Sequence, residues 1–349
     1  MKKVVCVLFG GKSSEYKVSL MSASSVIENL NRNKYEVINI GITRDGKWLR
    51  YYGDIEDIIN DTWYLDNCSD ILFNPCKDGG ILEIKENELI PLKIDLIFPV
   101  LHGRYGEDGA IQGLLEILSI PYIGCDIASS AICMDKDYAH RLVEDSGIKV
   151  PQSLVLNGNM VKEDIKRFSE KAGFPIYVKP ASEGSSIGMT RAMNKDELIR
   201  GIEEAFEFDN KVVLEENIDG FEVGCAIIGN EELIIGEVCE LELPNGLFLD
   251  YKEKYKVKNI NIHIPARIDN LLKDRIINTA KDIYRILGCS GLARVDMFID
   301  KDESIIFNEV NTMPGFTTTS IFPKMFISSN MTYGEILDQL IEIEIGDCK

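Results

Sequence analysis

An α/β fold of mixed α+β character, built from more than one unit, is predicted by three observations. Apolar strand-like runs alternate with helical patterns through the first 124 residues, and glycines follow two of those runs. The chain is 349 residues long, which exceeds one average domain. Residues 293–315 read as two apolar strands around a polar turn, with acids placed on one face.

The elements come in this order. Residues 4–9 form a buried first strand, then Gly10-Gly11 and a helix over about 18–30. A second strand is expected at 37–42. Residues 44–92 are polar and irregular, with Trp48, Tyr51, Tyr52, Trp63 and Tyr64, and read as an excursion from the sheet. A strand at 94–101 runs into His102-Gly103 and closes a parallel first domain, 1–124. A second unit, 125–217, holds a helix near 135–146, a strand at 175–179, a Gly/Ser loop, a helix at 195–208 and a strand at 211–215. The third, 218–349, carries strands and a helix. Its Leu271, Leu272, Ile276, Ala280, Ile283 and Leu287 share a stripe, with Gly288 as C-cap.

Composition narrows the function. A net charge of −19 argues against nucleic acid, which needs a basic surface, but not against a small anion met by a local Lys/Arg cluster. The first apolar run is too short for a signal peptide, and no apolar stretch approaches membrane-spanning length. Nine scattered cysteines without Cys-x-x-Cys read as reduced core thiols of a cytoplasmic protein.

The 293–315 run carries the most chemistry. Arg294 and Asp296 share one strand face, and Glu309 and Asn311 another. A turn centred between Asp302 and Glu303 sets Asp296 opposite Glu309 and Arg294 opposite Asn311. Two carboxylates and an amide oxygen suit Mg²⁺, which binds through one or two carboxylates plus substrate phosphates.

Other motifs are weaker alone. Gly10-Gly11-Lys12-Ser13-Ser14-Glu15 opens a helix and offers N–H groups, but lacks the full dinucleotide fingerprint. Glu15 could receive an ammonium group, or simply cap the helix. His102-Gly103-Arg104-Tyr105-Gly106-Glu107-Asp108-Gly109 demands a tight backbone; His102 by itself suits a hydrogen-bonded strand end. Lys179 ends a strand before Glu183-Gly184-Ser185-Ser186, donors suited to anionic oxygens without being a Walker A loop. Glu215, Glu216 and Ile218, four residues before Glu222, end a strand that could be a hinge. Lys254 and Tyr255 sit in a charged aromatic loop that could close over a site.

Taken in this order, the segments resemble the D-alanine–D-alanine ligase family of the ATP-grasp superfamily, over nearly the whole chain. The resemblance rests on Gly10 to Glu15, Leu101-His102-Gly103, Glu107-Asp108-Gly109, Met134-Asp135-Lys136, Lys179-Pro180, Glu183-Gly184-Ser185-Ser186, Lys254-Tyr255, Arg294-Val295-Asp296 and Asn308-Glu309-Val310-Asn311-Thr312-Met313-Pro314-Gly315. It implies an ATP-grasp fold behind a Rossmann-like first domain, a homodimer, and ATP with two Mg²⁺ ions (Mn²⁺ as a substitute). It further implies ligation of D-alanine to a second D-amino acid through an acyl phosphate, for peptidoglycan precursors.

By motif, the resemblance implies Asp296, Glu309 and Asn311 as metal ligands, and Lys136 and Lys179 on the ATP phosphates. Glu215, Glu216, Ile218, Glu222 and Phe248 would line the adenosine pocket. Glu15 would hold the first ammonium, Arg294 and the Gly315 N–H the oxyanion, and Lys254 a phosphate or carboxylate. Glu15, Ser185 and Tyr255 would latch the loop. His102, Ser320 and Ile321 would belong to the substrate pockets. The Lys254-Tyr255 pair resembles D-Ala–D-Ala ligases. The aromatic 44–64 region and the wording from Asn308 to Phe316 resemble vancomycin-resistance ligases that accept D-serine. Those follow the pocket serine with Arg-Tyr-Pro, whereas Ser320 precedes Ile321-Phe322-Pro323. An apolar Ile321 offers a serine hydroxyl no hydrogen bond. The resemblance therefore favours D-alanine as acceptor, with D-serine as the alternative and a non-catalytic ATP-binding protein as a remote third.

Overall fold

The first apolar run becomes β1 (Lys3–Gly10), second from one edge of a seven-stranded sheet, with β2 (Tyr35–Ile42) and the edge strand β7 (Leu96–Val100) parallel on either side. The structure, a computed structural model, describes residues 2–76, 80–158, 161–242 and 261–346. Gly10 has φ +92°, and a Cβ there would lie 2.1 Å from the Ile42 carbonyl oxygen, so only glycine lets the chain leave β1 against β2. α1 (Tyr16–Asn29) starts just beyond and buries Leu20, Ala23, Val26 and Ile27 on one face of the sheet. α3 (Ala110–Ile117) covers the other face with Ile111 and Leu115.

Residues 44–92 are not an excursion. They extend the same sheet through β3 (Trp48–Tyr51), β4 (Cys68–Phe73), β5 (Ile81–Lys85) and β6 (Glu88–Pro91), each paired antiparallel to the one before. The first sheet is therefore mixed, not parallel throughout. The short helix α2 (Ile55–Ile59) interrupts this run. Trp63 is fully buried, edge-on to Phe9 at 4.9 Å, and donates its indole N–H to the Tyr16 hydroxyl. Trp63 and the buried Tyr51, 6.0 Å apart, pin the extension to the core, whereas Tyr52 and Tyr64 are exposed.

A four-stranded sheet comes next along the chain, in the order β10 (Thr190–Ala192), β9 (Ile176–Pro180), β11 (Lys211–Glu216), β8 (Ser153–Asn157). α6 (Lys162–Ala172) and α7 (Lys195–Ala205) supply Ile165, Leu198 and Ile202 to its core. The third sheet has six strands: β12 (Gly220–Ile228), β13 (Ile234–Ile235), β14 (Cys239–Glu242), β15 (Asn261–His263), β16 (Leu292–Asp300) and β17 (Ile305–Asn311). α8 (Asn270–Ile286) packs on it through Leu272, Ile276, Ala280 and Ile283, and Gly288 follows at φ +68°. Leu271 departs from the expected stripe and is 73 % exposed. α4 (Ile127–Met134) and α5 (Lys136–Asp145) bring Cys133, Ala139 and Val143 to this same core. α9 (Ile321–Ser328) and α10 (Tyr333–Gly346) return to the first sheet, where Phe322, Phe326, Leu337 and Leu340 join its core. Eight cysteines among the described residues are free thiols.

Candidate active site

β16 and β17 pair so that Asp296 faces Glu309 and Arg294 faces Asn311, the register expected from the sequence. The route differs. Next to the turn, Ile299 faces Ile305 and Met297 faces Phe307, which centres the loop on Asp302, and Glu303 takes a left-handed φ of 56°. Asn308 is the extra residue of a β-bulge. Without that bulge, strict alternation after the buried Phe307 would turn Glu309 into the core. The bulge therefore delivers Glu309 and Asn311 to the face of Arg294 and Asp296.

Arg294 donates to both oxygens of Asp296, at 2.7 and 2.6 Å, and the Asn311 amide reaches Asp296 at 2.9 Å. Burial disfavours the Arg294 charge, yet Asp296 outweighs it and holds the guanidinium above its usual range. Gly224 on β12 is the floor: a Cβ there would lie 2.9 Å from Cys239 Sγ and 3.1 Å from Asp296 Oδ1. No cluster of three His, Cys, Asp or Glu side chains converges among the described residues. The donor set is two carboxylates and an amide. It fits a hard cation that completes its shell with substrate oxygens, and not a cage site.

Lys136, first residue of α5, lies 3.9 Å from Glu309 and donates to the Glu183 carbonyl at 2.8 Å. It thus links the metal-type patch to the Gly/Ser loop. Ser185 and Ser186 both take left-handed φ, 50° and 59°. Each costs about 1–3 kcal/mol, which local contacts must offset. One such contact is the Ser185 hydroxyl, which donates to Glu15. Lys179 is buried and donates to Glu215 at 2.5 Å. Burial pushes the Lys179 ammonium down, but Glu215 outweighs it and the net shift is upward. Burial likewise pushes Glu215 up, and Lys179 and then His140 hold it below the carboxylate range. Glu216 accepts from the Gln152 N–H and side-chain amide at 2.8 and 3.0 Å, while Asn308 approaches Glu222 at 3.4 Å. Ile218 follows Glu216 in the short link between β11 and β12.

On the first sheet, Glu15 is buried at the start of α1, beside the 102–109 loop. A Cβ on Gly103 would sit 2.7 Å from Glu15, and one on Gly184 3.0 Å from it, so both glycines permit this approach. His102 is 4 % exposed, with Nδ1 2.8 Å from the Met313 carbonyl and Nε2 3.1 Å from the Ser22 hydroxyl. Both its nitrogens are committed within the protein. Burial pushes its imidazole down, against an opposing pull from Glu15. Glu107 accepts from the Gly103 N–H at 2.6 Å and the Met313 N–H at 3.0 Å. Burial, then Glu15, pushes the Glu107 carboxyl up to about 8.

Gly315 lies in the segment after β17, and a Cβ there would come 3.2 Å from Ser320 Oγ. The Ser320 hydroxyl is held in its own turn by the Thr317 N–H at 3.0 Å and hydroxyl at 2.7 Å. Ile321 is half-buried and packs on the first core. Phe248, Lys254 and Tyr255 lie outside the described residues. Sequence reasoning gave no role to Gly224, Ser22 or Glu107. Glu107 stood inside a quoted motif, whereas a serine in an amphipathic helix and a glycine in a strand carried no comparable signal.

Residues 4–125 match the profile of the D-ala D-ala ligase N-terminus, and residues 142–342 that of the D-ala D-ala ligase C-terminus. D-alanine–D-alanine ligase B of Clostridium tetani is 42 % identical, across 99 % of this chain and 95 % of that protein. The solved VanG D-Ala:D-Ser ligase from Enterococcus faecalis is 48 % identical, with a TM-score of 0.89 over 99 % of this chain and 100 % of that one. A D-alanine–D-alanine ligase from Bacillus anthracis complexed with ATP is 30 % identical, with a TM-score of 0.73 over 99 % and 98 % of the two chains. With profile matches to both halves and full-length identity above two in five, the chain belongs to the D-alanine–D-alanine ligase family.

Proposed function

We propose that this protein joins two D-alanines into D-alanyl-D-alanine at the expense of ATP. The observation that carries the reading is the bulged hairpin, which faces Asp296, Glu309, Asn311 and Arg294 into one patch beside Lys136. A free carboxylate is a poor acyl donor, so the first D-alanine must be activated. Its carboxylate attacks the γ-phosphate, an acyl phosphate forms and ADP leaves. The amine of the second D-alanine then attacks the acyl carbon, and phosphate departs with the C–O bond electrons.

The residues divide the work. Glu15 holds the first ammonium, and Lys136 and Lys179 neutralise phosphate oxygens. Glu215, Glu216, Ile218, Glu222 and Phe248 take the adenosine. Arg294 and the Gly315 N–H aim a planar cation and a dipole at the charge developing on the tetrahedral carbon. Asp296, Glu309 and Asn311 would hold Mg²⁺, which supplies charge neutralisation to the phosphates. Ser185 and Tyr255 bridge to Glu15, Lys254 takes an anionic oxygen, and His102, Ser320 and Ile321 shape the substrate pockets.

We further propose three working units, 1–124, 125–217 and 218–349. The separate core of the four-stranded sheet favours this division, although α4 and α5 lean on the third sheet. We also propose a homodimer in the cytoplasm; no described helix is long and apolar enough to cross a membrane. The likeness to VanG supports a second reading, D-serine as acceptor. Against it stands Ile321, which gives a serine hydroxyl no partner. Competition between D-alanine and D-serine at one pH, read as kcat/KM for each, decides: a clear preference for D-serine overturns the first reading. Absence of any D-alanine-dependent ADP release overturns both.

A further inference from the structure

We infer that Ser22 and Glu107 are positioning residues for the oxyanion donor, acting through a ring of hydrogen bonds that fixes the segment around Gly315. This rests on the ligase reading above and on the Gly315 role within it.

Donor and acceptor logic defines the ring. The Met313 carbonyl only accepts, so His102 Nδ1 must carry the proton across their 2.8 Å contact. Burial favours the neutral imidazole, so Nε2 is then an acceptor and receives the Ser22 O–H across 3.1 Å. With its proton spent, the Ser22 oxygen still accepts the Phe316 N–H at 3.1 Å. On the other side, Glu107 accepts the Met313 N–H at 3.0 Å and the Gly103 N–H at 2.6 Å. The Phe316 carbonyl is held in turn by the Tyr333 hydroxyl.

Peptide planes before and after the Pro314–Gly315 unit are therefore tied, through Met313 N–H, Met313 C=O and Phe316 N–H. No hydrogen bond engages the Gly315 N–H itself among the described residues. One amide is left unspent between two that are fixed, which is how a preorganised donor is built. Ser22 is fully buried in α1, and nothing else in the proposed chemistry uses it. The ring joins helix α1 and the 102–107 loop, beside Glu15, to the segment that carries the oxyanion donor. The site for the first amino acid and the site of bond formation are thus held in one register.

The test is Ser22→Ala in the full-length protein. The oxyanion forms when the second amine attacks, so dipeptide kcat should fall about tenfold to a hundredfold. Acyl phosphate formation should stay within about twofold. It is read as positional isotope exchange in oxygen-labelled ATP, at D-alanine too dilute to fill the acceptor site. Ser22→Thr, which restores the hydroxyl, should recover most of the loss. Equal losses in both half-reactions, or an unchanged dipeptide kcat, would overturn the inference. Should Ser22→Ala not fold, Glu107→Gln loosens the same segment from the Met313 side and must show the same split. A wild-type protein with no D-alanine-dependent ADP release would instead sink the ligase reading, before any variant is compared.

Discussion

The hairpin of β16 and β17 carries Arg294, Asp296, Glu309 and Asn311 on paired strands, whereas the first sheet carries Glu15, His102 and Glu107 where strands give way to loops and a helix start. On the hairpin, the backbone ladder sets where each side chain stands, and the pairing of Arg294 and Asn311 with Asp296 is added to it. On the loops, position comes from the side chains themselves: Glu107 holds Gly103 and Met313, and the Ser185 hydroxyl ties the Gly/Ser loop to Glu15. A substitution on the strands should therefore remove a chemical group. The same kind of change on the loops should also loosen what the group was holding.

Arg294→Ala gives the largest expected effect. In the proposed chemistry the cation faces the carbon where charge develops, so kcat should fall by about 10²–10³ while the ATP KM barely moves. Steady-state kinetics with each substrate varied in turn would show this. A change confined to the ATP KM would mean the strand side serves nucleotide binding and not bond formation. Glu15→Gln comes next. With Glu15 in its proposed place on the first ammonium, losing that charge-assisted contact should raise the KM of the first D-alanine about tenfold. Because Ser185 donates to Glu15, the variant should also expose the 182–188 segment to faster amide exchange. If exchange there is unchanged, Glu15 binds substrate without organising the loop, and the contrast between the two sides is weaker than proposed.

Legibility in the sequence divides along the same line. Period-two alternation and a turn signal are local, so the pairing of Asp296 with Glu309 could be read directly from residues 293–315. The bulge at Asn308 was not legible, because an extra residue leaves the composition of the strand unchanged and only flips the face of the residues after it. Residues 44–92 were misread because β3 to β6 are short and are interrupted by α2 and polar turns, so no run is long enough to show a period. Trp63 looks like a loop aromatic until Gly41 is seen to leave room for its ring, where a Cβ would lie 2.3 Å away. Glu107 and Ser22 meet Met313 and Phe316 across 206 and 294 residues, a separation no local pattern encodes.

The smallest expected effect is on stability, and it separates the two sides by pH. Burial, then Glu15, pushes the Glu107 carboxyl up to about 8, against the pull of the Gly103 and Met313 N–H groups. Unfolded, this acid titrates near 4.5. Between those values the folded chain holds a proton that the unfolded chain has lost, so stability must fall as pH rises. This contribution is complete below about 4.5 and gone once pH passes about 8. The Arg294 guanidinium, held above its usual range by Asp296, stays charged across the same window and adds no slope. His102, kept neutral by burial, works in the opposite direction up to about 6.5. Measured without added divalent cation, the melting temperature should therefore decline from about pH 6.5 to 8 in the wild type. Glu107→Gln should start lower, because an amide keeps one acceptor where the carboxyl offers two, but should lose on the order of one proton's worth of that slope. Arg294→Ala should shift the curve without flattening it. If Glu107→Gln leaves the slope intact, the carboxyl is ionised at neutral pH, and the loop side of the site is as insensitive to pH as the strand side.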